Sequence, residues 1–107
     1  MKKHTLHPGR QTDPEHLAKL RAYGCWCCKV DVRTQQSPTE IHHPRGGQGM
    51  GQRADDRDAI PLCKRHHVEQ HPDSLSIHRN PREWRAWYGS EGEVCRMVNE
   101  EINRSAE

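Results

Sequence analysis

Cysteine and histidine are concentrated in three short segments of this chain. The segments are Cys25-Trp26-Cys27-Cys28, Ile41-His42-His43-Pro44, and Leu62-Cys63-Lys64-Arg65-His66-His67 with His71 four residues later. Only 31% of the 107 residues are hydrophobic and Phe is absent, so the apolar core must be small. Small polar chains commonly need metal, disulfides or a partner to stay folded. The clustering therefore predicts a fold that metal supports.

The five cysteines are an odd number, which argues against a closed set of disulfides. Thiolates bound to zinc in a reducing cytoplasm fit this composition better. No apolar run reaches the length of a membrane span, so we expect a cytoplasmic protein without membrane association. The length allows one domain, which we place at 12–107 after a flexible basic arm at 1–11.

The pattern of the chain predicts short helices around a small hairpin. Helices are expected from Pro14 to a stop at Gly24, over 64–70, over 81–88, and after a capping box at 90–93. Alternating residues predict paired strands at 29–33 and 39–42. A long glycine-rich loop over 45–58 and an apolar link at 59–62 follow. The expected class is α+β.

Two pairs of residues have the spacing of a closed zinc site. Cys25 and Cys28 form one pair, and Cys63 and His66 form the other, which together supply four ligands of the kind that zinc prefers. Such a site is structural, and its binding energy contributes to folding. Cys27 competes with Cys25 or Cys28 as a ligand, and the spacing does not decide between them. Cys95 stands among helical apolar positions and is expected in the core.

A second group of histidines has the character of an open metal site. His67 and His71 are four residues apart on a predicted helix, so they share one face and can grip one divalent ion. A third imidazole from His42 or His43 would complete the site, and the remaining one could act as a general base. The other histidines, which are His4, His7, His16 and His78, lack ligand spacing and are expected at the surface.

In this order, these residues resemble the HNH nucleases of the ββα-metal (His-Me finger) superfamily, over about 25–71. The resemblance implies a small zinc-stabilised ββα-metal domain with flanking short helices. It further implies that His42 is a metal ligand, that His43 is the general base, and that the helix supplies His67, with His71 as a further ligand. The Asn of the family motif falls at Asp58, which retains a side-chain oxygen but adds charge.

The function that follows is a metal-dependent DNA endonuclease. One divalent ion, expected to be Mg²⁺ or Mn²⁺, would act beside the histidine base, and imidazole-rich sites also hold Zn²⁺ or Ni²⁺. The candidates for contact with DNA phosphates are Arg45, Arg53, Arg57 and Arg65.

The run at 60–67 and the glycine-rich loop are also similar to the phage recombination-enhancement (Ref) type of HNH nuclease. That narrower resemblance implies action on recombination intermediates beside a recombinase filament. The alternative is a non-catalytic zinc module that binds nucleic acid or protein. A binding module has no use for an unligated base beside a metal, so His43 discriminates between the two.

Overall fold

The computed structural model describes residues 11–44 and 55–105. Within these ranges the fold is α+β, as expected. In chain order the elements are α1 (Pro14–Tyr23), α2 (Trp26–Val30), β1 (Glu40–His42), a 3₁₀ turn (Asp56–Asp58), β2 (Ile60–Leu62), α3 (Lys64–His67), α4 (Pro81–Tyr88) and α5 (Glu91–Ser105). The predicted arm, apart from Gln11, and the glycine-rich segment at 45–54 lie outside the described residues.

The helix boundaries follow the capping signals in the sequence. The Asp13 side chain accepts a hydrogen bond from the backbone N–H of His16, 3.1 Å away, and caps α1. Helix α1 ends at Gly24, whose φ of +96° favours a residue without Cβ. At the start of α5, Ser90 and Glu93 exchange reciprocal hydrogen bonds of 2.9 and 3.1 Å, which is the predicted capping box.

The predicted hairpin is wrong in one of its two strands. Residues 26–30 form helix α2, which Cys25 caps by accepting a hydrogen bond from the Cys28 backbone. The strand that pairs with β1 is instead β2, the segment expected to be a link. The two strands are antiparallel and place His42 opposite Ile60. Pro61 lies within β2, which a two-stranded sheet tolerates because each strand has an open edge.

The core forms where β2 meets the helices. Ile60 and Leu62 are fully buried, and α1, α2 and α5 all pack against this strand. Trp84 of α4 is also fully buried. Tyr88 is buried too, whereas Trp87 is 68% exposed. Of these three aromatic residues, Trp84 and Tyr88 therefore belong to the core. No helix in the described ranges has the length and apolarity needed to cross a bilayer.

Candidate metal sites

The four residues with zinc-ligand spacing meet in one buried cluster. Cys25 and Cys28 flank the first turn of α2, while Cys63 and His66 lie at the junction of β2 with α3. Since all four are buried and their ligand atoms lie within 4.8 Å of one another, the cluster could hold a zinc ion. Such an ion would tie α2 to β2 and α3.

The distances within this cluster fit a tetrahedral zinc site. Zinc at about 2.3 Å from sulfur and about 2.0 Å from nitrogen places its ligands about 3.5 to 3.8 Å apart. The sulfurs of Cys28 and Cys63 are 3.7 Å apart. The three cysteine sulfurs lie 3.4 to 3.7 Å from Nδ1 of His66. One ring nitrogen cannot satisfy three sulfurs by hydrogen bonding, whereas a shared ion satisfies all four atoms at once.

Cys27 lies beside the cluster without joining it. Its side chain is fully buried and hydrogen-bonds Cys25, and that contact is the largest cause of a Cys25 pKa well below the usual range. Burial raises the pKa of Cys27 itself. The group of ligand atoms that could hold a metal contains Cys25 and Cys28 but not Cys27, so the choice left open by the sequence falls on Cys25 and Cys28. Cys95 is buried, as expected, and donates a hydrogen bond to the carbonyl of Arg57.

A second cluster brings together three histidines from separate parts of the chain. His42 ends β1, His67 ends α3, and His78 lies in the segment before α4. The ring centroids are 4.8 to 5.3 Å apart, and one nitrogen from each ring lies within 4.8 Å of the others. Three imidazoles so placed could hold one metal ion.

The membership of this second cluster differs from the set predicted from the sequence. His78 is exposed, as predicted, but it joins His42 and His67 because its backbone N–H donates to the carbonyl of His67. His71 lies outside the group, and its Nε2 contacts Glu69 at 3.0 Å. The two helical positions do not share a face, since α3 ends at His67 rather than at the predicted 70.

Two of the three rings are held by carboxylates. Nε2 of His42 is 2.8 Å from Glu91, and Nδ1 of His67 is 2.8 Å from Glu40. Histidines that bind metals commonly donate their other N–H to such a carboxylate, which fixes the ring and its tautomer. The nitrogen left for a ligand bond is then Nδ1 in His42 and Nε2 in His67.

His43 directly follows His42, one member of this cluster, in the chain and makes a different contact. Its Nε2 lies 2.9 Å from the Asp56 carboxylate, which is almost completely buried. The second oxygen of Asp56 accepts a hydrogen bond from the Asp13 backbone at the start of α1. Asp58, the position suggested by the family motif, is exposed on the 3₁₀ turn instead. The carboxylate beside the predicted base is therefore that of Asp56.

Two of the four candidate arginines can be placed. Arg57 is 74% exposed and donates to Asp13, while Arg65 pairs with Asp73 at 3.0 Å. Arg45 and Arg53 lie outside the described residues. Arg57 is the candidate closest in the chain to the pair formed by His43 and Asp56.

Sequence reasoning missed four participants of these sites, which are His78, Glu40, Asp56 and Glu91. Glu40 had a usable signal, because residues two apart in a strand share a face and it precedes His42 by two. Asp56 and Glu91 come from segments whose approach to the histidines depends on the tertiary fold. Comparison with family models, with curated proteins and with solved structures finds no match for this chain.

Proposed function

We propose that this protein is a metal-dependent endonuclease that hydrolyses phosphodiester bonds in DNA. The observation that supports it best is the pairing of His43 with a buried carboxylate, directly after His42 of the three-histidine cluster. The order of strand, strand and helix formed by β1, β2 and α3 agrees with the ββα-metal domain that the sequence resembles. The Cys/His cluster supports this unit as a structural zinc site.

His43 has the position of a general base. With Nε2 donating to Asp56, Nδ1 retains the lone pair that can accept a proton from water. Asp56 holds the ring in this tautomer and stabilises the positive charge after proton transfer, as the third group of a catalytic triad does. The hydrogen bond from Asp13 keeps the Asp56 carboxylate in place.

The three imidazole ligands determine which divalent ions the second site would prefer. A divalent ion in such a site supplies polarisation of the phosphoryl oxygen and stabilisation of the leaving alkoxide. Imidazole nitrogen suits transition metals, whereas Mg²⁺ prefers oxygen ligands. Of the two ions expected from the sequence, Mn²⁺ therefore fits His42, His67 and His78 better than Mg²⁺ does.

DNA would be held mainly through its phosphates. Arg57 presents an exposed guanidinium in the 3₁₀ turn that supplies Asp56, so it can contact the strand that is cut. Contacts of this type carry no sequence information, and we therefore propose cleavage of low sequence specificity. A displacement loop made by a recombinase is the substrate that the narrower resemblance implies.

A nicking assay tests this function. Supercoiled plasmid and a recombinase-made displacement loop are incubated with zinc-loaded protein and Mg²⁺, Mn²⁺, Ni²⁺ or Co²⁺. We expect cleavage with at least one ion and a loss of about 10²- to 10⁴-fold in His43→Ala. His71→Ala is the matched control, since His71 lies outside both clusters, and it should cut normally.

Two results would contradict the proposal in different ways. Unchanged cutting by His43→Ala, with zinc content and circular dichroism preserved, removes His43 as the base. No cutting by the wild-type protein on either substrate with any of the four ions rejects the nuclease and favours a zinc module that only binds.

A further inference from the structure

His42 is held by a residue far along the chain. Its Nε2 lies 2.8 Å from Oε2 of Glu91, the first residue of α5 and 49 positions away. Both side chains are largely buried, at 8% and 15% exposure. The contact therefore lies away from bulk water, where a charge-assisted hydrogen bond is strong.

The Glu91 carboxylate is itself held by a second residue, Arg85. Its other oxygen, Oε1, accepts hydrogen bonds from Nε and from a terminal nitrogen of Arg85, at 3.1 and 3.0 Å. Each carboxylate oxygen of Glu91 thus has its own partner, which is His42 for Oε2 and Arg85 for Oε1. A carboxylate restrained in this way sets the rotation of the imidazole that donates to it.

The equivalent contact on His67 is less restrained. Glu40 is 37% exposed, whereas Glu91 is 15% exposed and clamped by an arginine. The location of Glu91 at the first turn of α5 also favours its negative charge, because helix N-termini carry partial positive charge. Glu91 is therefore the better placed of the two carboxylates to fix a ligand.

We infer that Glu91 is a positioning residue for the second metal site, with Arg85 holding it in place. Glu91 keeps His42 in the tautomer that leaves Nδ1 for the metal, and the site thereby depends on α4 and α5. This inference deepens the proposed function and rests on its metal site. Neither Glu91 nor Arg85 lies in the segment at 25–71 that carries the family resemblance.

The test measures metal affinity apart from catalysis. Protein already loaded with one zinc is titrated with Co²⁺, and the His42 tautomer is read from ¹⁵N chemical shifts. Glu91→Gln should weaken Co²⁺ binding by about 10- to 100-fold, the usual effect of losing a carboxylate behind a ligand histidine. Glu100→Gln is the matched control, because Glu100 lies on the same helix in a surface ion pair with Arg96.

A second variant keeps the inference testable if Glu91→Gln fails to fold. Arg85→Gln leaves Glu91 and His42 intact but removes the clamp, so it should weaken Co²⁺ binding to a smaller extent. Retention of one zinc per chain shows that each variant is folded. The inference is overturned if Glu91→Gln binds Co²⁺ within twofold of the wild type with the His42 tautomer unchanged, whatever the result for Arg85→Gln. It is also overturned if the zinc-loaded wild type binds no Co²⁺.

The outcomes separate this inference from the proposed function. Weaker Co²⁺ binding in Glu91→Gln, in a protein that does not cut DNA, supports the positioning role and rejects the nuclease. DNA cleavage by the wild type together with unchanged Co²⁺ affinity in Glu91→Gln supports the nuclease and rejects the positioning role.

Discussion

At the scale of single residues, the protonation of the three thiols around His66 should affect the affinity of the cluster for zinc. Hydrogen bonds led by that from Cys27 hold the pKa of Cys25 well below its usual range. Burial raises the pKa of Cys28 to about 11. The pKa of Cys63 is raised further, first by its hydrogen bond with Cys25 and then by burial. Zinc must therefore displace protons from Cys28 and Cys63, because thiolates are its ligands.

The resulting prediction concerns the affinity for Zn²⁺ as a function of pH. Both raised pKa values lie above neutrality, so lowering the pH favours the protonated thiols and opposes the metal. With two protons released per ion, the apparent Kd should rise about 100-fold for each unit that the pH falls between about 8 and 6. Competition with a chelator of known affinity measures it. Cys95→Ser should show the same dependence, and an equal Kd at both ends of this range would contradict the prediction.

Single residues also show what the sequence could and could not predict about the sites. The four residues of the Cys/His cluster were predictable because two residues three apart can face one ion from a single turn, which is a local property. His78 was not, since the segment from 68 to 77 must first return its backbone to His67. Asp56 and Asp58 are equally acidic in the sequence, and only the fold buries the first and exposes the second.

At the scale of elements, the segment at 29–33 does not form the strand that its sequence favours. Its alternation of polar residues and valine is typical of a strand. The turn of α2 nevertheless places Cys25 and Cys28 toward the same point, and the helix extends to Val30 before ending at Asp31. Helices α1, α4 and α5 were predictable because their caps and proline starts are encoded locally. Strand β2 was not, because it contains a proline.

The end of α2 contains a strained position that can be tested. Val32 has φ of +54°, a left-handed conformation that a β-branched residue seldom adopts, and its side chain is 91% exposed. Val32→Gly should therefore raise the free energy of unfolding by about 1 kcal/mol, as measured by urea denaturation of zinc-loaded protein. The control is Val30→Gly, which lies within the helix and should lower it. A decrease in both variants would contradict strain at Val32.

At the scale of the whole molecule, each of the two clusters connects elements that are distant in the described chain. The Cys/His cluster joins α2 to the junction of β2 and α3, and the imidazole cluster joins β1, α3 and the segment before α4. Glu91 extends the second cluster to α5, where Val94 and Val98 belong to the same buried core as Ile60 and Leu62. The Cys/His cluster and the proposed catalytic site therefore share α3, where His66 belongs to the first and His67 to the second.

The protein should hold metal at two different positions in one small fold. Anomalous scattering from crystals soaked with Zn²⁺ tests it directly, because it locates each ion and its ligands. We expect one peak among Cys25, Cys28, Cys63 and His66 and a second among His42, His67 and His78. His78→Ala should lose only the second peak, and His71→Ala should keep both. A single peak at the cysteines in the wild-type protein, or a second peak at His71, would contradict the account.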